Sequence, residues 1–255
     1  MKPELDISRY LCKIESGSLD SCVHQLLEKP ALFPTFVWTM NLSHIREVTF
    51  TPSAFKFLEV GTLIVADGWP IKYLVRVYEA REVQRVPGVD LVDKLLQHGV
   101  KFCVIGSDRG QILKALGRHQ NSVSNLTFIY DEALDIDSET QVDEIIQFLI
   151  DFKPEYVFLA LGFPKQEFLY EKIRNKNPQI AAYFLGIGGS FEMLSGEKVR
   201  APRRLQNLGL EWLWRLSQDP KRLFSRYYAD GKFFISLALK QEAKRVRGFI
   251  LKGEG

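Results

Sequence analysis

Short apolar runs and longer amphipathic stretches alternate along the first three quarters of the chain. The short runs are rich in β-branched and aromatic side chains, which is typical of buried strands. The stretches between them carry apolar residues at the three- and four-residue spacing of a helix that is packed on one face. The predicted strands are 33–39, 63–66, 102–105, 126–130, 156–161 and 182–185, and the predicted helices include 89–97, 111–118, 142–152 and 166–174.

This alternation predicts an α/β fold with a mostly parallel sheet and helices on both faces. From about Pro202 onward, the pattern changes to helices rich in arginine and aromatic residues, with no further strand. We therefore expect an α/β body over residues 1–195 and a helical appendage over residues 196–255. Ligands of parallel sheets bind beyond the carboxyl ends of the strands, so the residues that follow each strand are the first candidates for a site.

The charge of the chain is unevenly distributed. Residues 200–255 hold 13 lysines and arginines and five acidic residues, a net charge of +8, whereas the whole chain has a net charge of only +3. A basic end on a mildly acidic body predicts an anionic partner for that end, which can be nucleic acid, a membrane surface or a diphosphate.

Cysteine usage and hydropathy predict a cytoplasmic protein. The three cysteines, Cys12, Cys22 and Cys103, form no C-x-x-C pair, so we expect neither a disulfide framework nor a zinc site. The first residues lack the apolar segment of a signal peptide. No run of about 18 apolar residues occurs, so no membrane-spanning helix is expected.

Polar residues follow the first two predicted strands. Thr39 and Asn41 are two positions apart, so in a strand they face the same side and can both serve one ligand. Asn41 is also suited to cap the helix that follows. Asp67 precedes Gly68 at the end of the second strand, where a carboxylate is well placed to act as a general base. The competing interpretation is a turn or helix-capping aspartate, because Asp-Gly is common in turns.

Two glycine-containing segments follow later strands. Gly162-Phe163-Pro164-Lys165-Gln166-Glu167 predicts a helix that starts with proline in its first position, where free N–H groups favour an anion or sugar oxygens. An ordinary strand–helix junction has the same appearance. Gly186-x-Gly188-Gly189 lacks the third glycine of the dinucleotide fingerprint and follows the last strand instead of the first. A nicotinamide- or flavin-dependent oxidoreductase is therefore disfavoured.

The sequence predicts no metal and no other cofactor. Asp135 and Asp137 have the spacing of a metal–diphosphate site, but acidic residues there also complement the start of the next predicted helix. The histidines show no metal-ligand spacing and no triad. We expect all four to be solvated or locally hydrogen-bonded, namely His24, His44, His98 and His119.

Three arginines near the end of the chain recur at helical spacing. Arg215, Arg222 and Arg226 are separated by seven and four residues, about two helical turns and one. If the segment is helical, the three guanidinium groups can share one face and clamp a diphosphate. Large aromatic residues lie among them, which also suits a surface that meets lipid headgroups or RNA. From the residues alone, a ligand clamp and a surface-binding helix are equally supported.

In sequence order, these motifs resemble the WecG/TagA/CpsF glycosyltransferases of bacterial cell-envelope and capsule synthesis. The resemblance covers about residues 35–228. The matching elements are Thr39-x-Asn41, Ala66-Asp67-Gly68, Arg85-x-x-Gly88-x-Asp90-Leu91, Gly106, Gly162-x-Pro164-Lys165-Gln166-Glu167, Gly186-x-Gly188-Gly189-x-Phe191-Glu192, Gly196, Arg200-Ala201-Pro202, Leu210-Glu211-Trp212-Leu213-x-Arg215-Leu216, Pro220-x-Arg222 and Arg226-Tyr227.

The resemblance implies a Rossmann-like fold and the inverting, metal-independent transfer of a sugar from a UDP-sugar to a polyprenyl-diphosphate-linked saccharide. The sugar would be of the N-acetylmannosamine type or a hexose. By this resemblance Asp67 is the base. The other implied substrate contacts are Thr39, Asn41, Arg85 and Gln166 around the donor sugar, Gly106, Gly188 and Gly189 in the substrate site, Glu192 near the uridine, and Arg215, Arg222 and Arg226 at the diphosphate.

Two segments depart from the family pattern. Tyr130-Asp131-Glu132 stands where the family often has a Gly-Tyr pair that contacts the uridine, and Ser195 stands where a small apolar residue is common before Gly196. Because the Gly-Tyr pair is absent, the resemblance does not carry that uridine contact over to this chain.

The chemistry that the resemblance implies agrees with the residues. Departure of UDP leaves charge on its β-phosphate, which needs a metal or fixed cations, and the three arginines favour the second. The basic, aromatic appendage predicts a protein that lies on the anionic inner face of the cytoplasmic membrane. The main alternative is a nucleic-acid-binding protein that uses the basic end, and the order of the body motifs argues against it. The donor sugar, the acceptor and the formation of a homo-oligomer stay open.

Overall fold

The computed structural model describes residues 7–51, 62–119, 123–130 and 134–253, with the side chains of the last helix described as far as Gln241. The strands are β1 (Thr35–Met40), β2 (Thr62–Ala66), β3 (Phe102–Gly106), β4 (Leu126–Tyr130), β5 (Tyr156–Ala160) and β6 (Tyr183–Gly186). The helices are α1 (Ser8–Leu11), α2 (Leu19–Glu28), α3 (Leu42–Phe50), α4 (Trp69–Glu79), α5 (Gly88–Gln97), α6 (Arg109–Leu116), α7 (Glu139–Phe152), α8 (Lys165–Lys176), α9 (Ser190–Leu194), α10 (Arg203–Asn207), α11 (Glu211–Gln218) and α12 (Pro220–Gly253).

Within the described residues, six strands form one parallel sheet in the order β2-β1-β6-β5-β3-β4. Consecutive strands are connected through helices, as parallel pairing requires. The carboxyl ends of all these strands therefore lie along one edge of the sheet. The predicted α/β fold class is confirmed, and this sheet is parallel throughout.

The strands are apolar on both faces because helices cover both faces of the sheet. In β1, Phe36, Trp38 and Met40 belong to the hydrophobic cluster on one face, and Val37 belongs to the cluster on the other. All four side chains are fully buried. Such packing holds the end of each strand firmly, and with it the polar residues that come directly after the strand.

One prediction about the appendage is wrong. Arg215 and Arg226 do not share a helix, because α11 ends at Gln218 and α12 begins at Pro220. Proline cannot donate a backbone hydrogen bond and is favoured at a first helical position, so it starts a new helix here. Pro164 also differs from expectation, since it is the N-cap of α8 and not its first residue.

The long helix α12 packs against the body. Phe233 and Leu237 are buried within the larger hydrophobic cluster of the sheet. Tyr78 Oη on α4 donates to the Leu237 carbonyl at 3.2 Å, and Gln241 Nε2 donates to the Val77 carbonyl at 3.2 Å. No helix in the described ranges is both long enough and apolar enough to cross a bilayer. The division between body and appendage at residue 195 stays a prediction.

Candidate active site

A cavity of about 760 Å³ opens at the carboxyl edge of the sheet. Residues that follow β1, β2, β5 and β6 form its floor, and α11 and α12 form the facing wall. Eleven of the twelve site residues expected from the sequence line it, namely Thr39, Asn41, Asp67, Arg85, Gln166, Gly188, Gly189, Glu192, Arg215, Arg222 and Arg226. The fold therefore brings nearly the whole predicted set to one place.

Asp67 is the first residue after β2 and lines the cavity. Its backbone N–H donates to the Met40 carbonyl at 2.8 Å, which fixes it beside the end of β1. Gly68 has φ +101° and is the N-cap of α4, and no side chain caps that helix. The helix-capping interpretation of Asp67 is therefore wrong, and its carboxylate remains available to a ligand.

The surroundings of Asp67 suit a base. Burial raises the pKa of its carboxyl group to about 6, while the guanidinium groups of Arg85 and Arg215 act in the opposite direction. The neighbouring carboxylates Glu211 and Asp90 add smaller increases to that pKa. A carboxyl group with a pKa near 6 is mostly ionised at neutral pH and accepts a proton more readily than a solvated aspartate.

Thr39 and Asn41 both line the cavity beside Asp67. Thr39 is only 7% exposed, and its hydroxyl donates to the Gly186 carbonyl at 3.4 Å. Asn41 also has the capping role considered from the sequence. Its Oδ1 accepts from the His44 N–H at 3.3 Å, and its own N–H donates to His44 Nδ1 at 3.2 Å. The end of β1 is thus a closed hydrogen-bonded turn that presents polar groups to the cavity.

Gln166 holds the glycine turn that follows β6. This side chain is 3% exposed, and its Oε1 accepts from the Gly188 N–H at 3.1 Å. A Cβ at Gly186 would lie 2.6 Å from Gln166 Nε2, so only glycine allows this approach. Gly188 has φ +49°, and Gly189 is the N-cap of α9. The turn therefore brings backbone to the cavity surface without side chains.

Glu192 and Gly106 lie toward the other end of the cavity. Glu192, on α9, lines the cavity and forms an ion pair with Lys198. Gly106 ends β3 with φ +88° and does not line the cavity, unlike the residue after it, Ser107. A Cβ at Gly106 would lie 3.1 Å from the Ala160 backbone. Close packing of β3 against β5 accounts for this glycine, and the structure gives it no direct contact with the cavity.

Two arginines of the rim are engaged in ion pairs. Arg85 Nη2 lies 2.5 Å from the Glu211 carboxylate and so connects the segment between α4 and α5 to α11. Arg200 binds both carboxylate oxygens of Asp90, with the longer bond at 2.8 Å. Bidentate pairs of this kind fix geometry as well as charge. These two ion pairs therefore fix the segments that carry Arg85 and Arg200 to α11 and α5 at the rim of the cavity.

The three predicted clamp arginines reach the cavity from two helices. All three are exposed. Arg222 Nε lies 2.6 Å from the Asp219 carboxylate. Within the described part of the chain, neither Arg215 nor Arg226 forms an ion pair. The helical wall therefore offers two guanidinium groups that are not bound in an ion pair among the described residues.

His44 is a cavity residue that the sequence did not single out. It is 4% exposed and stacks on Trp38 with ring centroids 5.0 Å apart. Burial and the charge of Arg226 lower its pKa to about 3, so the imidazole is neutral. Its position three residues after Asn41 is that of a capping box, and this spacing was the signal available in the sequence.

Asp230 on α12 is a second cavity residue that sequence reasoning missed. It is 5% exposed, accepts a hydrogen bond from the Ser43 hydroxyl and lies 2.9 Å from Arg46 Nε. Both partners belong to α3, which follows Asn41. Asp230 therefore attaches α12 to the body beside the cavity. No local motif marks it, because its partners lie far away in the sequence.

Asp135 and Asp137 are not among the residues that line the cavity. Asp135 Oδ1 accepts from the Asp137 N–H at 3.0 Å, and the Asp137 carboxylate lies 3.6 Å from Lys172 Nζ. Both residues lie just before α7, which Ser138 caps, so their position agrees with the interpretation that they complement the start of that helix. The described ranges contain no cluster of three or more His, Cys, Asp or Glu side chains that could hold a metal ion. Asp131 and Glu132 lie outside those ranges.

Comparisons with known proteins agree with the motifs. The model of the glycosyl transferase WecG/TagA/CpsF family matches residues 9–248. An N-acetylglucosaminyldiphosphoundecaprenol N-acetyl-beta-D-mannosaminyltransferase of Staphylococcus aureus strain MW2 is 29% identical over 194 residues, which cover 74% of each chain. Proteins of the same name from strains NCTC 8325 / PS 47 and MRSA252 show the same identity and coverage.

Proposed function

This chain belongs to the WecG/TagA/CpsF family of glycosyl transferases, and we propose that it is an inverting, metal-independent enzyme that moves a sugar from a UDP-sugar to a polyprenyl-diphosphate-linked saccharide. One observation carries the proposal. In a single cavity, the carboxylate of Asp67, whose pKa is raised to about 6, faces arginines from α11 and α12. Such an arrangement provides a base that can accept the proton of an attacking hydroxyl group, together with cations that can stabilise a departing diphosphate.

The proposed reaction is a single displacement. A hydroxyl group of the acceptor attacks the anomeric carbon of the donor sugar and gives its proton to Asp67. The bond between the anomeric carbon and the oxygen of the β-phosphate breaks, and UDP leaves with the electron pair. Attack on the face opposite UDP inverts the anomeric centre. Thr39, Asn41 and Gln166 line the floor where hydrogen bonds to sugar hydroxyls would fix the donor.

The helical wall would stabilise the leaving group. The diphosphate gains negative charge as the bond to the sugar breaks, so cations directed at that charge lower the barrier. Arg215 and Arg226 are available for this task because no carboxylate in the described residues pairs with them. These guanidinium groups would perform the function that a divalent cation performs in other sugar-nucleotide enzymes, which is why we propose a metal-independent reaction.

The relatives suggest the substrates. The name of the Staphylococcus aureus homologues specifies transfer of an N-acetyl-β-D-mannosaminyl group to N-acetylglucosaminyl-diphospho-undecaprenol. We propose an acceptor of that kind here, with a donor of the N-acetylmannosamine type or a hexose. The setting would be the synthesis of a surface polysaccharide or teichoic acid.

A lipid-linked acceptor requires contact with a membrane surface. Residues 200–255 have a net charge of +8, against +3 for the whole chain, and Phe224, Tyr228, Ile235 and Leu239 on α12 are each more than half exposed. Exposed aromatic and aliphatic side chains among basic residues suit the interface of an anionic leaflet. We propose that α11 and α12 hold the enzyme on the inner face of the cytoplasmic membrane while their arginines complete the cavity.

The test is transfer by the purified chain. A panel of UDP-sugars is incubated with N-acetylglucosaminyl-diphospho-polyprenol, and the products are identified by mass spectrometry, with and without EDTA. We expect one or a few donors to give a product one sugar heavier, unaffected by EDTA, and ¹H NMR of that product should show an inverted anomeric centre. Loss of activity in EDTA that Mn²⁺ restores would contradict the metal-independent mechanism. Thermal stabilisation by an oligonucleotide, with no effect of UDP, would favour the nucleic-acid-binding alternative.

A further inference from the structure

Glu167 is a fully buried carboxylate directly beneath the cavity. It lies on α8 next to Gln166 and has 0% of its surface exposed. Its Oε1 accepts two hydrogen bonds, from Trp38 Nε1 at 3.1 Å and from Gln166 Nε2 at 3.0 Å. Its Oε2 has no hydrogen-bond partner among the described residues. This carboxylate is not part of the proposed chemistry, since it does not line the cavity.

A carboxyl group in this position is costly for the fold. Burial raises the pKa of Glu167 to about 7, against the effect of the N–H groups that donate to it. A buried polar oxygen without a partner destabilises the folded state, and an apolar side chain of similar volume generally packs there at lower cost. The presence of glutamate therefore calls for an explanation beyond packing.

The hydrogen bonds of Gln166 supply that explanation. A glutamine amide can be turned over, which exchanges its oxygen and nitrogen. Here both ends are fixed, because Nε2 donates to Glu167 and Oε1 accepts from the Gly188 N–H at 3.1 Å. If the amide turned over, two acceptors would face each other at Glu167 and two donors at Gly188. Only the observed orientation satisfies both contacts, and in it one hydrogen of Nε2 donates to Glu167 while the other remains for a ligand.

The same carboxylate connects two sides of the cavity floor. Trp38 lies on β1, and its ring stacks on His44, which closes the hydrogen-bonded turn at Asn41. Gln166 holds the glycine turn after β6. Glu167 accepts from both Trp38 and Gln166, so one buried atom joins the polar residues after β1 to the backbone after β6.

We propose that Glu167 is a positioning residue, which locks the Gln166 amide so that its nitrogen donates a hydrogen bond to an oxygen of the sugar-nucleotide donor. The inference rests on the proposed function for the identity of the donor. The hydrogen bonds that Glu167 accepts are a property of the fold, and the one from Trp38 can be measured without a substrate.

The experiment is a double-mutant cycle between Glu167 and Gln166, read as kcat and KM for the UDP-sugar. We expect Glu167→Met to lower kcat/KM about tenfold, the scale of one lost hydrogen bond, and Gln166→Ala to lower it by a similar factor. Because both substitutions remove the same donated bond, the double variant should be no worse than Gln166→Ala. Glu167→Gln keeps an acceptor for both N–H groups and should retain kcat/KM within about threefold.

Tyr170 provides the matched control on the same helix. Its hydroxyl is buried and donates to the Pro34 carbonyl at 2.9 Å, away from the cavity lining. Tyr170→Phe removes a buried hydrogen bond without touching Gln166. It should lower the melting temperature and leave kcat and KM unchanged, which shows that loss of stability alone does not reproduce the Glu167→Met effect.

A substrate-free measurement separates this inference from the proposed function. In a ¹⁵N–¹H spectrum, the four tryptophans give four indole signals, and Glu167→Met should shift the signal of Trp38. Two results would overturn the positioning role. One is a double variant whose loss in kcat/KM equals the product of the two single losses, and the other is an equal loss in Glu167→Gln and Glu167→Met. If the wild-type chain transfers no sugar and does not bind UDP, the proposed function fails, whereas an unmoved Trp38 indole signal in Glu167→Met refutes the inference about Glu167.

Discussion

The two walls of the cavity are built differently. On the sheet side, Thr39, His44 and Gln166 are each less than 8% exposed and are held by hydrogen bonds to backbone groups of neighbouring strands and turns. On the helical side, Arg215 and Arg226 are exposed, and no ion pair restrains them within the described residues. One wall has buried polar groups held by hydrogen bonds, and the other has positive charge on exposed side chains.

This difference indicates a division of labour. Reacting groups have to be held within a fraction of an ångström, which a buried and hydrogen-bonded floor can do. A diphosphate needs positive charge more than one exact position, and long arginine side chains can follow it as bonds change. Substitutions on the sheet side should therefore mainly reduce kcat, whereas substitutions on the helical side should mainly weaken nucleotide binding.

The largest effect is expected at Asp67. Asp67→Asn keeps the shape of the side chain but removes the base, so kcat should fall about 10³-fold, while the Kd for UDP changes less than about threefold, since a carboxylate does not attract a diphosphate. UDP release measures the first quantity, and calorimetry measures the second.

Asp108 is the matched control for Asp67. It also lines the cavity, but its Oδ1 accepts from the Gln111 N–H at 3.0 Å as the N-cap of α6, a role that asparagine fills equally well. Asp108→Asn should therefore cost less than about tenfold in kcat. If Asp67→Asn retains a tenth of the wild-type kcat, the base is another group. The sheet side would then not hold the group that accepts the proton.

The next largest effect is expected on the helical side. Arg215→Ala should weaken UDP binding by about 30-fold, within the range of a charge-assisted hydrogen bond. Arg222→Ala should weaken it by about fivefold, because Asp219 at 2.6 Å already neutralises part of that charge. Lys221→Ala, at an exposed position outside the cavity lining, is the control. Equal losses for Arg215→Ala and Lys221→Ala would mean that only the overall charge of the helix matters.

The sheet side was largely predictable from the sequence. Strands can be recognised from local apolar runs in the sequence, and a parallel sheet places the residues after each strand along its carboxyl edge. Thr39, Asp67 and the Gly186–Gly189 turn therefore required no knowledge of distant contacts. Gly106 shows where this reasoning stops, because the rule locates the end of a strand but does not say whether a glycine there serves a ligand or close packing.

The helical side was predictable in charge but not in geometry. Arginine spacing supported a clamp and a surface-binding helix equally, and both assumed a shared helix. Pro220 separates α11 from α12, and the three arginines line one cavity through tertiary packing instead. The pairs that arrange this wall, such as Arg85 with Glu211 and Asp230 with Arg46, join residues more than 100 positions apart. Periodicity reports on neighbours within a few turns, so contacts at that separation leave no local pattern.

The pH dependence of kcat/KM offers a finer test of the sheet side. Because burial raises the pKa of Asp67 to about 6, the base becomes protonated as the pH falls through that value. We expect kcat/KM to be constant above about pH 7 and to fall about tenfold per pH unit below 6. A profile that stays flat down to pH 5 would show that a group of lower pKa accepts the proton.

Asp230 connects the two walls, and its substitution should have a moderate effect. Asp230→Asn keeps an acceptor for Ser43 but removes the charge that faces Arg46 at 2.9 Å. We expect the Kd for UDP to rise about fivefold as α12 docks less firmly, with kcat reduced less than twofold. Lys232→Ala, exposed on the same helix, should change neither. A larger loss in kcat than in UDP affinity would contradict the division between the walls.

The smallest effect concerns the outer surface of the helical side. Phe224 and Tyr228 are 63% and 61% exposed, with ring centroids 6.3 Å apart, and neither lines the cavity. Replacing both with alanine should weaken binding to phosphatidylglycerol vesicles about threefold in a sedimentation assay, because apolar area that would enter the interface is lost. The Kd for UDP should not change.

The control for this surface is the exposed apolar pair that precedes β1, Leu32 and Phe33. These residues lie before a strand whose other end contributes to the cavity, so they are on the edge of the sheet away from it. Replacing both with alanine should leave vesicle binding unchanged. Equal weakening by the two pairs would show that any exposed apolar group contributes. The helical side would then serve the nucleotide alone, with no separate role at the membrane.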